Sequence, residues 1–444
     1  MKRANMVVAA MIGVALCVSL GSGAPPERTT TAPAVSAEKA DEAKQHFEAG
    51  RKSFFQGAYA KAIAALTKAV AVDPTKNAYR LLLAKAHRYA GQLKDAAAVL
   101  EGILKTSPDH VEAGVELAAI LSADKQWKRV TATLEPLLKF KHDYPLYHML
   151  AEAYYQQDNL EKARTCYEEA VRLNPNSGGD HYQLGNLYLT QSRFAKAAKA
   201  YERAAALGVE PAVLHFKLAS AYFNLRNYLG RVTTAKVIGG AVGEIKKDLF
   251  LIDPVPGTPD TFYVAGPRSA VFQVVKAQAM GITMVQIRFL EANIWLNARR
   301  YAKADAIYKQ LEDKLEKADR ALFWFYWART ALGLGDCDAY LARLDKAIEA
   351  DPDVYKPTLA DAYVTVAGRY QQRGETKRYI EYLKKAVQTN PLSASLHLTL
   401  GDALWQANQR KEAAEQYRLV LELEPDHAAR VRLLNRIRSQ AAGT

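Results

Sequence analysis

Cysteine is scarce, with three in 444 residues, and one of these, Cys17, falls inside the apolar N-terminal run. Cys166 and Cys337 stand in different repeated units, whereas a disulfide needs α-carbons within about 7 Å. No internal disulfide is expected, so core packing must supply the stability. Cys166 reads as a small buried hydrophobe, and Cys337, in the turn of LGLGDCDAY, as partly exposed. Long apolar runs are missing too. The longest, from Met6 to Leu20, is about 15 residues against the roughly 20 needed to span a bilayer as a helix. Lys2 and Arg3 precede it and GSGA follows, so residues 1–24 read as a secretory signal peptide and the chain as exported, periplasmic or secreted, and not membrane-spanning after cleavage. Lipidation at Cys17 and an uncleaved anchor are the alternatives; Leu16, where a small residue would precede a lipid-bearing cysteine, argues against the first.

Motifs of chemistry are equally absent. No HExxH, paired CxxC, GxxxxGK(S/T) or GxSxG occurs, and the nine histidines do not gather. His46, His181, His215 and His397 fall at matching places in four different units, the pattern of helix-packing residues. No metal, cofactor or catalytic residue is expected, and the chain reads as noncatalytic. Acids are in deficit, with 47 Asp and Glu against 60 Lys and Arg, a formal net charge of +13. The basic excess is interspersed with acids, as on solvated helix faces; the functional alternative is affinity for anionic envelope glycan or lipid, with no nucleic acid expected for an exported chain.

What is present is a repeat. The segment YPLYHMLAEAYYQQDNLEKARTCYEEAVRLNP, Tyr144 to Pro175, contains two amphipathic stretches. Tyr147, Leu150, Ala151 and Tyr154 share one face of the first, and Leu160, Ala163, Tyr167, Ala170 and Val171 one face of the second. The same landmarks recur: a small residue, an alanine or apolar residue twelve positions on, and a proline twelve further. Gly50, Ala62 and Pro74 give one instance; Ala84, Ala96 and Pro108 another. Small residues at Gly50, Ala84, Ala118 (closing a repeat without its proline), Ala151, Gly185 and Ala219 keep a spacing of 33 or 34 positions. After an interruption the series resumes at Ala292, Ala328, Ala367 and Gly401. Two short helices bury little alone, so the unit must stack on copies of itself.

This pattern resembles the tetratricopeptide repeat family over about four fifths of the chain. Tyr154, Tyr188 and Tyr222 match the family's tyrosine three positions after the small residue, and Tyr59, Trp127, Phe194 and Tyr228 its later aromatic. The resemblance implies an all-α, right-handed solenoid of helix-turn-helix repeats with one irregular insert. The expected organisation is a flexible linker over 25–40, about six repeats over 41–238, an insert over 239–282, about four repeats over 283–426, and a capping helix and tail over 427–444. In the sixth repeat a second helix is expected from Tyr228, with Arg231 where alanine belongs. Within the insert, Leu249–Ile252 and Thr261–Ala265 read as a β-hairpin and Ser269–Met280 as a helix.

The resemblance also implies a concave face lined by residues flanking the small landmark, which suits a protein or peptide segment. In the middle repeats these are Tyr182, Asn186, Phe216, Ser220, Asn224, Phe289, Asn293 and Asn297, amides for a peptide backbone and rings for apolar side chains. Near the N-terminus Phe47, Arg51, Phe54, Lys85 and Arg88 form a basic and aromatic set. The lysine and asparagine clamp with which some members hold a C-terminal carboxylate is not reproduced. The expected role is a periplasmic or cell-envelope interaction scaffold within an assembly or secretion complex. Binding of an anionic glycan or lipid is the alternative, and an enzyme built on the insert a third.

Overall fold

The computed structural model describes residues 36–209, 211–246, 248–316 and 319–442. The expected signal peptide and residues 25–35 of the expected linker lie outside them. Contacts divide the chain into two compact units, at Gln126/Trp127. The first contains α1 (Ala37–Phe55), α2 (Tyr59–Val72), α3 (Asn77–Tyr89), α4 (Leu93–Thr106) and α5 (Val111–Ala123). The helix α1 starts four residues before Asp41, because AEKA is made of helix formers that extend its first turn.

The second unit opens with α6 (Trp127–Leu134), α7 (Tyr144–Gln156), α8 (Leu160–Leu173), α9 (Gly178–Thr190), α10 (Phe194–Ala206) and α11 (Ala212–Asn224). Four strands follow: β1 (Thr233–Lys236), β2 (Ile245–Lys246), β3 (Leu249–Pro254) and β4 (Thr261–Ala265). Then come α12 (Ala270–Ala279), α13 (Val285–Asn297), α14 (Tyr301–Leu311), α15 (Arg320–Leu334), α16 (Cys337–Ala350) and the short α17 (Pro352–Tyr355). The last elements are α18 (Leu359–Gln372), α19 (Thr376–Thr389), α20 (Ala394–Gln406), α21 (Arg410–Leu423) and α22 (Arg430–Ala442).

Within each unit a first helix packs against the second helix that follows it, and residues at fixed offsets set how. The residue sixteen positions after the small landmark is large, apolar or aromatic, and fully buried: Leu66, Leu100, Tyr167, Tyr201, Tyr308, Leu344, Leu383 and Tyr417. Where the landmark is glycine the approach leaves no room for a methyl group. A Cβ at Gly185 would stand 2.6 Å from the Tyr201 ring, and one at Gly50 as close to Leu66. The turn between paired helices is equally regular. Seven positions after every landmark the backbone is left-handed, at Gly57, Gly91, Lys125, Asp158, Ser192, Arg226, Arg299, Gly335, Gly374 and Asn408.

The sixth repeat departs from expectation. No helix begins at Tyr228; the left-handed turn at Arg226 forms, and the chain then leaves the repeat for the sheet. It returns at α12, which packs against α11 as its second helix. The alanine expected at Arg231 is supplied 39 positions later by the buried Ala270. Ala219 to Ala292 is accordingly 73 positions, one 34-residue repeat lengthened by those 39. The insert thus lies inside the sixth repeat, not after it, and occupies about residues 229–267 rather than 239–282. Its two ends are tied together: Ala270 N–H donates to the Asn227 carbonyl at 3.0 Å and the Asn227 amide to the Arg268 carbonyl at 2.7 Å.

The expected hairpin is the centre of a four-stranded antiparallel sheet, ordered β1-β4-β3-β2, with a register shift between Leu251 and Asp253. The sheet is docked, not loose. Phe250 is buried with its ring 6.1 Å from that of Trp295 on α13. Lys303 on α14 donates to the Ile252 carbonyl at 2.7 Å and pairs with Asp253 at 2.8 Å. Ser269 caps α12 by accepting from the Phe272 N–H. At the far end α22 covers the last pair with the buried Leu433, and its Arg436 pairs with Asp402 at 2.5 Å.

Candidate functional site

Four repeats carry tyrosine at the buried position sixteen after the landmark, and each has an acceptor directly after its landmark. Tyr167 donates to Glu152 at 3.0 Å, Tyr201 to Asn186 at 2.8 Å, Tyr308 to Asn293 at 2.5 Å and Tyr417 to Asp402 at 2.8 Å. In repeats with leucine there, the residue after the landmark is Arg51, Lys85, Ala119, Arg329 or Gly368, none with a side-chain acceptor. A buried phenol needs a partner and a leucine does not. The carbonyls of Asn186 and Asn293 therefore hold helix pairs together and are not free for a peptide. Asn224 and Asn297 turn their amides back to the carbonyls of Ser220 and Asn293, both at 2.8 Å, and the Ser220 hydroxyl donates to Phe216 O.

The rings of the expected set behave differently. Tyr182, Phe216 and Phe289 each stand three positions before a landmark and are half-buried. Phe325 holds the same place on α15, also half-buried, and was missed; its register relative to Ala328 was the available signal. The four helices that carry these rings, α9, α11, α13 and α15, touch one another in succession. The rings are partly packed, Phe289 against Tyr308, Phe323 and Tyr326 and Phe325 against Tyr355 at 5.0 Å, and each keeps part of its surface exposed. This is a face of recessed aromatic surface, with amides serving the fold beneath it.

The basic and aromatic set belongs to the first unit. Phe47 stacks on Tyr79 at 4.6 Å and Phe54 meets Tyr59 and Tyr89 edge-on, so both rings are largely structural. Arg51 pairs with Glu48 at 2.9 Å. Lys85 pairs with Glu112 at 2.7 Å and Glu116 at 3.6 Å, and Arg88 with Glu116 at 3.1 Å. Partial burial alone would lower the Lys85 pKa, but the two glutamates outweigh it and raise it. Acids from α5 thus neutralise Lys85 and Arg88, which the sequence could not reveal because these partners lie about a repeat away. Three arginines of α22 are similarly engaged: Arg432 and Arg436 with Asp402, and Arg430 with Asp426.

A cavity of about 290 Å³ opens where the insert returns, lined by Glu202, His215, Tyr222, Asp248, Arg268 and Gln273 among others. Its polar groups bond to one another: Tyr222 to Glu202 at 2.5 Å, Arg268 to Glu202 at 3.1 Å and His215 to Gln273 at 2.6 Å. At about 100° per residue, His215 and Tyr222 lie roughly 100° to 120° around α11 from Phe216 and roughly 140° to 180° from Ser220 and Asn224. The insert therefore builds its pocket on another flank of α11, and none of the four rings of the aromatic face lines it.

Sequence profiles described as tetratricopeptide repeat match residues 47–111, 87–151, 144–177, 182–230 and 371–437, together more than half of the chain. The chain belongs to the tetratricopeptide repeat family. It is 23% identical over 416 residues to cellulose synthase operon protein C of Pseudomonas fluorescens (strain SBW25), covering 91% of this chain and 27% of that protein. The chain thus spans about a quarter of that relative's length. Among solved structures, MamA from Desulfovibrio magneticus RS-1 is 24% identical, covering 38% of this chain and 96% of the other, with a TM-score of 0.35. YrrB, described as a TPR protein with an unusual peptide-binding site, is 18% identical, covering 50% and 92%, with a TM-score of 0.35. The C-terminal part of a TPR protein from Cytophaga hutchinsonii is 15% identical, covering 65% and 99%, with a TM-score of 0.40.

Within this tetratricopeptide array the repeated histidines occupy packing positions. His397 bonds to Gln416 at 2.7 Å and to the Pro391 carbonyl at 2.9 Å, and His181 to the Pro175 carbonyl at 3.1 Å. His148, three positions before its landmark, pairs at 2.7 Å with the buried Asp180; the hydrogen bond raises the histidine pKa. Cys166 is buried, its thiol pushed up to about 11 by burial. Cys337 is buried as well, contrary to expectation, because it opens α16 behind an Asp336 cap and packs on Val366 and Tyr370. Among the described residues no helix is long and apolar enough to cross a membrane.

Proposed function

We propose that this chain is a noncatalytic scaffold that holds an extended protein segment along the face formed by α9, α11, α13 and α15, exported and at work in the cell envelope. The carrying observation is the half-buried ring at one register in four successive first helices, Tyr182, Phe216, Phe289 and Phe325. Recessed rings supply apolar pockets at low entropic cost, the usual composition of binding hot spots. The charged, apolar and small-residue order of the N-terminus supports export. The likeness to a relative named for a cellulose synthase operon favours a secretion or assembly complex as the setting.

The test is a crosslinking pulldown from envelope fractions with the wild-type chain and a variant carrying Tyr182→Ala, Phe216→Ala and Phe289→Ala, with circular dichroism confirming that both are folded. A specific protein recovered only by the wild type supports the reading. Equal recovery by both folded forms would refute it. Asn186 and Asn293 are left intact, because changing them would break the Tyr201 and Tyr308 bonds and confuse folding with binding.

A further inference from the structure

One cation on the proposed face lacks what its counterparts have. Lys217 of α11 is half-buried, and its Nζ lies 2.6 Å from Asn186 Oδ1 and 5.3 Å from the centroid of the Tyr182 ring. Among the described residues no carboxylate pairs with it, and burial alone lowers its pKa. Lys85, Arg164, Arg288 and Arg343 are half-buried too, and each has a carboxylate within 4.0 Å, while Arg80 and Arg410, for which no carboxylate is seen among the described residues, bond to neutral side chains away from the proposed face. An amide dipole and a ring face compensate a desolvated ammonium only in part. The Asn186 oxygen is already held by Tyr201, so the repeat needs no second donor there. Such a group costs stability, and one amide oxygen and one ring face recover only part of it.

The geometry points to Lys217 as the anion-reading point of the aromatic face, where an Asp or Glu side chain of the bound segment completes the ion pair between the Tyr182 and Phe216 rings. This rests on the proposed segment-binding role and adds the chemistry of the segment: apolar side chains punctuated by an acid. A carboxylate entering there meets an ammonium already stripped of much of its water, so the contact strengthens more than at an exposed lysine. A single ammonium beside one engaged amide suits an internal acidic side chain.

The test is selection from two random twelve-residue peptide libraries, one with amidated and one with free C-termini, on the wild-type chain, Lys217→Met and Lys217→Arg. The expected result is Asp and Glu enrichment among amidated peptides on the wild type, kept by Lys217→Arg and lost by Lys217→Met, with apolar enrichment retained by all three. For a selected peptide, Glu→Gln should weaken binding roughly tenfold on the wild type, the scale of one charge-assisted hydrogen bond, and leave Lys217→Met unaffected. Apolar enrichment without acids overturns the inference and leaves the binding face standing. Enrichment confined to free C-termini overturns it in favour of a terminal carboxylate. No enrichment on the wild type sinks both readings. Lys217→Met should melt no lower than the wild type; a fall of more than a few degrees would show that the lysine serves the fold, and would also overturn the inference.

Discussion

The left-handed residue seven positions after each landmark shows how a repeat can fix a backbone conformation without fixing a residue type. Gly57, Gly91, Gly335 and Gly374 adopt it freely, while Ser192, Arg226 and Arg299 hold the same conformation with φ between 56° and 59°. A side chain in this region crowds the backbone at a cost of roughly 1 kcal/mol, partly offset in glycine by its greater freedom when unfolded. Replacing Ser192, Arg226 and Arg299 by glycine together should raise stability by about 1 to 2 kcal/mol, measured as a higher urea midpoint at unchanged slope. A lowered midpoint would mean that these side chains contribute more by their contacts than they cost by their backbone. The tyrosines at position sixteen teach a related lesson. Tyr167, Tyr201, Tyr308 and Tyr417 each follow an acceptor by fifteen positions, so the structural duty of Asn186 and Asn293 was written in the sequence as a paired choice. It becomes visible only when repeats are compared position by position.

The helices themselves were legible because landmark, turn and buried partner keep constant offsets, and their periodicity is strong enough to override local ambiguity. The sixth repeat was not. Its second helix sits 39 positions later than the spacing allows, and Thr233–Lys236, two threonines, an alanine and a lysine, carries too little apolar pattern to announce an edge strand. The clue was arithmetical: Ala270, Gln273, Val274 and Ala277 repeat the register of a second helix, with His215 bonding Gln273 as His397 bonds Gln416. The insert can therefore be excised at its joined ends. Connecting Tyr228 directly to Arg268 should leave α11 and α12 paired. It should also remove the cover from Trp295 and the partners of Lys303, and cost about 2 to 4 kcal/mol, the scale of one or two large buried side chains. A thermal melt measures the cost. Partner capture should persist, since Phe216 lies at least about 100° around α11 from His215 and Tyr222 and does not line the pocket that the insert builds. Loss of capture by a variant that still folds would make the insert a recognition element.

At the scale of the whole chain, the formal charge of +13 invites an electrostatic account of binding, and the placement of the charges argues against it. Lys85 and Arg88 face glutamates, so the basic set that stood out in the sequence is largely neutralised internally, and Arg430, Arg432 and Arg436 of α22 are engaged by Asp402 and Asp426. The remaining excess is spread over exposed helix faces, where salt screens it at a Debye length of about 8 Å under physiological conditions. Binding through recessed rings depends on apolar area, which salt does not screen, with at most one ion pair at Lys217. Raising sodium chloride from about 50 mM to about 500 mM should therefore weaken capture of the protein partner less than tenfold. An anionic glycan or lipid held by diffuse positive charge would be released over the same range. A partner lost a hundredfold or more would reassign function from the aromatic face to the charged surface, and the Tyr182, Phe216 and Phe289 alanine variant would then bind as tightly as the wild type.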